Sequence, residues 1–147
     1  LKKGSVKLIS ATPCIAPAPI ELRLKESPLV SEAVLVGDRR NFPAVLIIPD
    51  FVVLEERLRE LGAASGTREH LVTRADVQGI YQRILDEINR NLAQFEKIKR
   101  FALLPRDMTV EGGELTPTLK VRRRIVEQHW AAVIEQLYAR EPAPNVS

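Results

Sequence analysis

The segment Glu111-Gly112-Gly113-Glu114-Leu115-Thr116-Pro117-Thr118-Leu119-Lys120 interleaves two permissive glycines with a fixed proline and two hydroxyl-bearing threonines. That is the composition of a shaped loop. It delivers Lys120 directly ahead of Val121-Arg122-Arg123-Arg124, where a helix is expected to begin. Cations at a helix start oppose the macrodipole, each at about 0.3–1 kcal/mol on an exposed surface, and no acid relieves them before Glu127. A sequence shaped by stability alone would carry acids here. Two readings follow. Lys120 and the arginines meet an anion, either a phosphate or a carboxylate under attack; or this is a solvated basic helix end whose arginines pair with Glu127 or another stretch of chain.

A second basic cluster, Lys97, Lys99 and Arg100, could reach phosphates or simply end a long helix in solvent. The overall excess is small, 22 Lys and Arg against 19 acids in 147 residues. A weak net charge with two local clusters fits a phosphate-bearing small ligand better than a nucleic-acid backbone. With 5% aromatic residues and no nucleic-acid reader motif, a basic nucleic-acid module is the weaker competitor. The single cysteine, Cys14, excludes an internal disulfide and has no nearby histidine to activate it; His70 and His129 lack metal-ligand spacing, so no metal site is expected. The longest apolar run, near Ala44–Ile48, falls far short of the roughly 18 residues of a membrane span. A start at Leu1 with no signal-peptide pattern leads to the expectation of a fragment of a longer protein in a reducing, cytoplasmic compartment.

These residues need elements to position them. Val6–Ser10 and Cys14-Ile15 read as an N-terminal hairpin turning at Ala11-Thr12-Pro13, and a helix is expected over Pro19–Lys25 with Glu21 serving its first turn. Ser31–Val36 and Ala44–Ile48 read as an antiparallel hairpin around Gly37-Asp38-Arg39-Arg40-Asn41. Asp50 caps a helix with the stripe Phe51, Leu54, Leu58 and Leu61, stopped by Gly62. After a loop over Ala63–His70, Thr73 and Asp76 form a capping-box-like start to the longest helix, striped by Val77, Ile80, Tyr81, Ile84, Leu85, Ile88, Leu92 and Phe95. Phe101–Leu104 is a strand, and a last helix over Val121–Tyr138 puts Val126, Trp130, Val133, Ile134 and Leu137 on its inner face, leaving His129 exposed. The tail after Arg140, 141–147 above all, is expected to fray. Strands and helices mix without a βαβ alternation, so the expected class is α+β: a small antiparallel or mixed sheet plus the N-terminal hairpin, flanked by three to four helices in a single domain spanning 1–147.

Ile15-Ala16-Pro17-Ala18-Pro19-Ile20-Glu21, Glu32–Asp50, Asn91–Pro105 and Gly113–Arg124 together resemble the C-terminal domain of AMP-forming long-chain fatty-acid CoA ligases, within the adenylate-forming superfamily. The resemblance covers about Ile15 to Tyr138. Its most specific piece is Gly-Glu-Leu-Thr-Pro-Thr-Leu-Lys followed by basic residues, and Asn-Arg-Asn-Leu-Ala-Gln-Phe-Glu-Lys-Ile-Lys-Arg-Phe resembles the long-chain branch.

What the resemblance implies is a two-step ligase. A fatty carboxylate attacks the α-phosphate of ATP, giving acyl-adenylate and pyrophosphate; the small C-terminal domain then rotates and the CoA thiol displaces AMP. Lys120 falls at the lysine that bridges carboxylate and α-phosphate, and Glu114, Thr116 and Thr118 would belong to the loop meeting ATP and the acyl-adenylate. Ala11, Thr12, Lys97 and Arg100 would lie toward CoA. Ser10-Ala11-Thr12-Pro13 replaces the family's glycine turn, so either that loop takes another shape or thioester formation is altered. A degenerate, regulatory member of the same family is the alternative that this departure leaves open. The implied partners are the adenylation domain of the same chain, with fatty acid, ATP, Mg2+ and CoA supplied to the whole enzyme and no cofactor held by this part. Peripheral membrane association of the parent is left open. The chain itself contains no Gly-x-x-x-x-Gly-Lys and no Ser/Thr/Gly-rich phosphate loop, so alone it is expected to be inactive.

Overall fold

The apolar runs of the central hairpin set the architecture. The computed structural model describes residues 16–37, 42–63 and 66–139. Within them β1 (Val30–Val36) pairs antiparallel with β2 (Ala44–Pro49), with Leu35 opposite Val45. β3 (Arg100–Leu103) lies parallel on the other side of β2, giving the order β1-β2-β3. β2 is the middle strand and all six of its residues are buried, as a strand covered on both faces must be.

Alternation along the strands sorts the core into two halves. Ala33, Leu35, Val45 and Ile47 face a cluster built with α1 (Pro17–Lys25), α2 (Phe51–Glu60) and α4 (Ala75–Asn89). Val34, Val36, Leu46 and Ile48 face the other, built with α5 (Arg123–His129) and α6 (Ala131–Ala139). The helices thus cover both faces of a three-stranded mixed sheet, an α+β fold with six helices among the described residues rather than three or four. The parallel β2–β3 pair requires a crossover, which α2, α3 (Arg68–Leu71) and α4 supply; the sequence reading had found no such alternation.

Local signals explain most element boundaries. Asp50 accepts from the Val53 backbone N–H at 3.3 Å and caps α2 as expected. Tyr81 on α4 is fully buried and donates its hydroxyl to the Leu29 carbonyl at 2.8 Å, tying helix to sheet entrance. Gly37 closes β1 at φ 125°, and a Cβ there would sit 2.7 Å from the Tyr138 hydroxyl. That hydroxyl donates to the Phe42 carbonyl at 2.8 Å, so the close approach fixes α6 against the hairpin.

Several expectations are corrected. α1 begins at Pro17, and Glu21 does not serve its first turn; its carboxylate points across to β1. Leu61 leaves the α2 stripe and is 65% exposed. The loop over 63–70 contains the start of α3, capped by Thr67. No capping box opens α4: Thr73 donates to the His70 carbonyl and Asp76 accepts from Arg74, which holds its carboxyl below the usual range. α4 stops at Asn89, whose side chain donates to the Ile98 carbonyl and accepts from the Ile98 N–H, at 2.9 and 2.8 Å, in the manner of a strand partner. Leu92 therefore packs from beyond the helix. The last helix is two, broken at Trp130 (φ −111°, ψ 25°). The N-terminal hairpin with Ala11 and Thr12, the turn Asp38–Arg40 and the tail after Arg140 lie outside the described residues.

Candidate functional site

The segment singled out by composition folds as a small hairpin projecting from the α5–α6 face. Thr109 starts it: its carbonyl accepts from the N–H groups of Glu114 and Leu115, and its hydroxyl accepts from the Gly112 N–H at 2.9 Å. Gly113 takes φ 83°, a conformation that costs glycine little, and so turns Glu114 inward. Leu115 then bridges antiparallel to Val121, and the Glu114 carbonyl accepts from the Arg122 N–H at 2.7 Å.

At the tip, the Thr116 carbonyl accepts from the Leu119 N–H at 2.7 Å and the Thr116 N–H donates to the Lys120 carbonyl at 2.8 Å. The Thr116 hydroxyl accepts from the Lys120 N–H at 3.1 Å and lies 3.0 Å from the Thr118 hydroxyl. Leu119 sits at φ 66°, the only non-glycine residue at positive φ among the described residues. Proline at 117 followed by a left-handed residue at 119 matches a three-residue hairpin loop, whose last position normally takes glycine. Lys120 follows immediately, exposed, with no acid paired to it among the described residues.

Two ion-paired clusters hold the base of this hairpin. Glu114 has a fully buried side chain, yet its carboxylate meets three donors. Arg106 approaches with both terminal nitrogens, at 3.2 and 3.1 Å, and His129 Nδ1 lies at 2.9 Å. Burial alone would push the Glu114 carboxyl up, but the hydrogen bonds and charges of Arg106 and His129 more than offset it and hold the group below its ordinary value. An ionised carboxylate only accepts, so His129 Nδ1 carries the proton. The Arg106 guanidinium also stacks over the Trp130 ring, 4.7 Å from its centroid. The expectation that Glu114 would meet ATP is thereby corrected: its oxygens are turned away from solvent and occupied by Arg106 and His129. His129 is exposed as expected, and its Nδ1 nevertheless reaches those oxygens.

The second cluster follows Lys120. Arg123 Nη1 donates to Glu21 Oε2 at 2.6 Å and to the Leu35 carbonyl at 2.8 Å, while the Leu35 N–H donates to the same Glu21 oxygen at 2.6 Å. Of the two readings of the basic helix start, Arg123 takes the structural one, pairing with a distant stretch of chain. Arg122 and Arg124 are exposed beside Lys120. Lys97 lies just ahead of β3 and Arg100 opens it, across β2 from β1. No sequence signal marks Glu114 with His129, or Glu21 with Arg123, because each pairing is made by the fold.

No group of three or more His, Cys, Asp or Glu side chains that could hold a metal occurs among the described residues. No helix there is long and apolar enough to cross a membrane. A groove of about 240 Å³, open to solvent, lies between α2 and α4, lined by Leu29, Leu61, Ile80 and Ile84. It sits on the sheet face away from Lys120.

The chain is 36% identical over 128 residues to the long-chain-fatty-acid–CoA ligase FadD15 of Mycobacterium tuberculosis, covering 86% of this chain and 21% of the relative. It is 32% identical over 143 residues to the long-chain-fatty-acid–CoA ligase ACSBG1 of Homo sapiens, covering 84% and 20%. The chain thus spans about a fifth of the length of these relatives. Among solved structures, the adenylation domain of a carboxylate reductase from Mycobacterium chelonae superposes with a TM-score of 0.66 over 83% of this chain and 17% of that one, at 22% identity, which speaks to the fold. Residues 10–142 match the AMP-binding enzyme C-terminal domain, and the chain belongs to that family of adenylate-forming enzymes.

Proposed function

We propose that this chain is the mobile C-terminal domain of an ATP-dependent long-chain fatty-acid CoA ligase, and that Lys120 is its adenylation lysine. The observation that carries the reading is the placement of Lys120: an exposed ammonium, paired with no acid among the described residues, one residue past the tip of a hairpin anchored at both ends. When a fatty carboxylate attacks the α-phosphate of ATP, negative charge gathers on the oxygens between the two substrates. A compact ammonium can approach those oxygens as a point charge without a fixed fork geometry. Thr116 shapes the tip through its hydroxyl, and Thr118 offers an exposed one beside it. The acyl chain and the nucleotide are held by the larger domain, with Mg2+ accompanying ATP there. After pyrophosphate leaves, rotation carries Lys120 away and admits CoA, with Ala11, Thr12, Lys97 and Arg100 as the residues that meet it.

The test uses the full-length enzyme. Lys120→Ala is expected to lower carboxylate-dependent ATP–pyrophosphate exchange by about 10²–10³ while sparing thioester formation from supplied acyl-adenylate. Equal loss of both half-reactions overturns the role given to Lys120. Pyrophosphate release by the isolated chain would overturn the dependence on a larger domain.

A further inference from the structure

Glu114 is the only buried charged side chain among the described residues. A buried carboxylate with its donors is rarely better for stability than a well-packed apolar group, so its presence beneath the hairpin asks for another reason. Geometry supplies one. The Glu114 carbonyl closes the hairpin base on the Arg122 N–H, at the start of α5, while its side chain meets His129, the last residue of α5. One residue thus grips both ends of that helix. Arg106 closes on the carboxylate from the loop after β3 as a two-nitrogen fork, which admits few orientations. An apolar residue would fill the space without dictating register. A carboxylate with three directed donors dictates it, and Lys120 directly precedes Val121, the residue that this register bridges to Leu115.

Resting on the reading of Lys120 above, we infer that Glu114 is a positioning residue for the adenylation step, with Arg106 and His129 as its supports: their cluster holds the hairpin in the one register that aims Lys120. The carboxylate touches no substrate and acts only through the hairpin. A displacement of about 1 Å in a reacting group can cost about 10²-fold, so a loosened register should be felt in adenylation and nowhere else.

The experiment measures both half-reactions in the full-length enzyme for Glu114→Gln, Lys120→Ala and the double variant. Glu114→Gln is expected to lower the kcat of ATP–pyrophosphate exchange by about 10–100-fold, with the KM for ATP and fatty acid and the rate of thioester formation from supplied acyl-adenylate unchanged. The double variant should adenylate no more slowly than Lys120→Ala alone, because positioning an absent ammonium is worth nothing. Equal loss of both half-reactions, or a double variant slower than Lys120→Ala by the full Glu114→Gln factor, overturns the inference and leaves the Lys120 reading standing. A Lys120→Ala enzyme that adenylates normally overturns that reading itself. If Glu114→Gln does not accumulate as folded protein, His129→Gln replaces it, with the same pattern expected at a smaller factor; wild-type exchange in that variant overturns the inference.

Discussion

Glu21 Oε2 lies 2.6 Å from Arg123 Nη1, although the two residues are 102 positions apart in the chain. Between them is Leu35 on the edge strand β1, whose N–H and C=O both point away from β2. The carboxylate accepts the N–H and the guanidinium donates to the C=O, so the ion pair stands in for a missing strand. An edge that would otherwise present a free donor and acceptor is closed, and the start of α5 is fastened to the sheet just after Lys120.

The first prediction concerns this pair. Arg123→Gln is expected to destabilise the chain by about 1–3 kcal/mol, since it strands a largely buried carboxylate and an edge carbonyl. Arg123→Lys should recover less than half of the loss: one ammonium cannot reproduce a fork that reaches both Glu21 oxygens and the Leu35 carbonyl. Urea unfolding of the two variants checks it, and a loss below about 0.5 kcal/mol for Arg123→Gln would contradict the account.

How much of this was legible beforehand follows from the range of each interaction. The hairpin of β1 and β2, the Asp50 cap and the inner face of α4 were readable because apolar period and capping chemistry are local. Lys120 stood out because glycine, proline and threonine cluster before it. The parallel docking of β3 was not readable, since nothing in Arg100–Leu103 records which strand it joins. Nor was the break at Trp130: the stripe from Val126 to Leu137 keeps step across it, so the apolar period carries no mark of the position. Glu114 misled for a related reason. An acid after two glycines reads as loop surface, and its donors lie 8 and 15 residues away.

The second prediction is a dependence on alkaline pH. Burial, then the nearby charge of Asp50, pushes the Tyr81 hydroxyl well above its usual value. Above about pH 10 the unfolded chain releases this proton while the folded chain keeps it. The folded state then binds one proton more, so rising pH favours unfolding, with a slope approaching about 1.4 kcal/mol per pH unit from this group. Tyr81→Phe abolishes that slope. At neutral pH it costs about 1–2 kcal/mol, because the Leu29 carbonyl loses its donor. Urea midpoints of the two proteins from pH 8 to 11 should therefore converge as pH rises; a constant gap would show that the hydroxyl ionises as readily inside the fold as outside.

The third prediction concerns backbone strain at the hairpin tip. Leu119 holds φ 66° with its side chain 65% exposed, so no packing rewards the leucine for a conformation that costs an L-residue about 1–2 kcal/mol. Glycine would remove that strain but adds about 0.5–1 kcal/mol of unfolded-chain entropy. The two terms nearly cancel, and Leu119→Gly should lie between neutral and about 1 kcal/mol more stable. Asparagine, which tolerates this region, should fall close to glycine, whereas Leu119→Val should be clearly worse than leucine because branching at Cβ crowds the left-handed backbone. Thermal unfolding of the three variants gives the order directly. A Leu119→Gly protein that melts well below the parent would mean that the leucine is held by contacts rather than merely tolerated, and that the tip is not strained in the way its φ indicates.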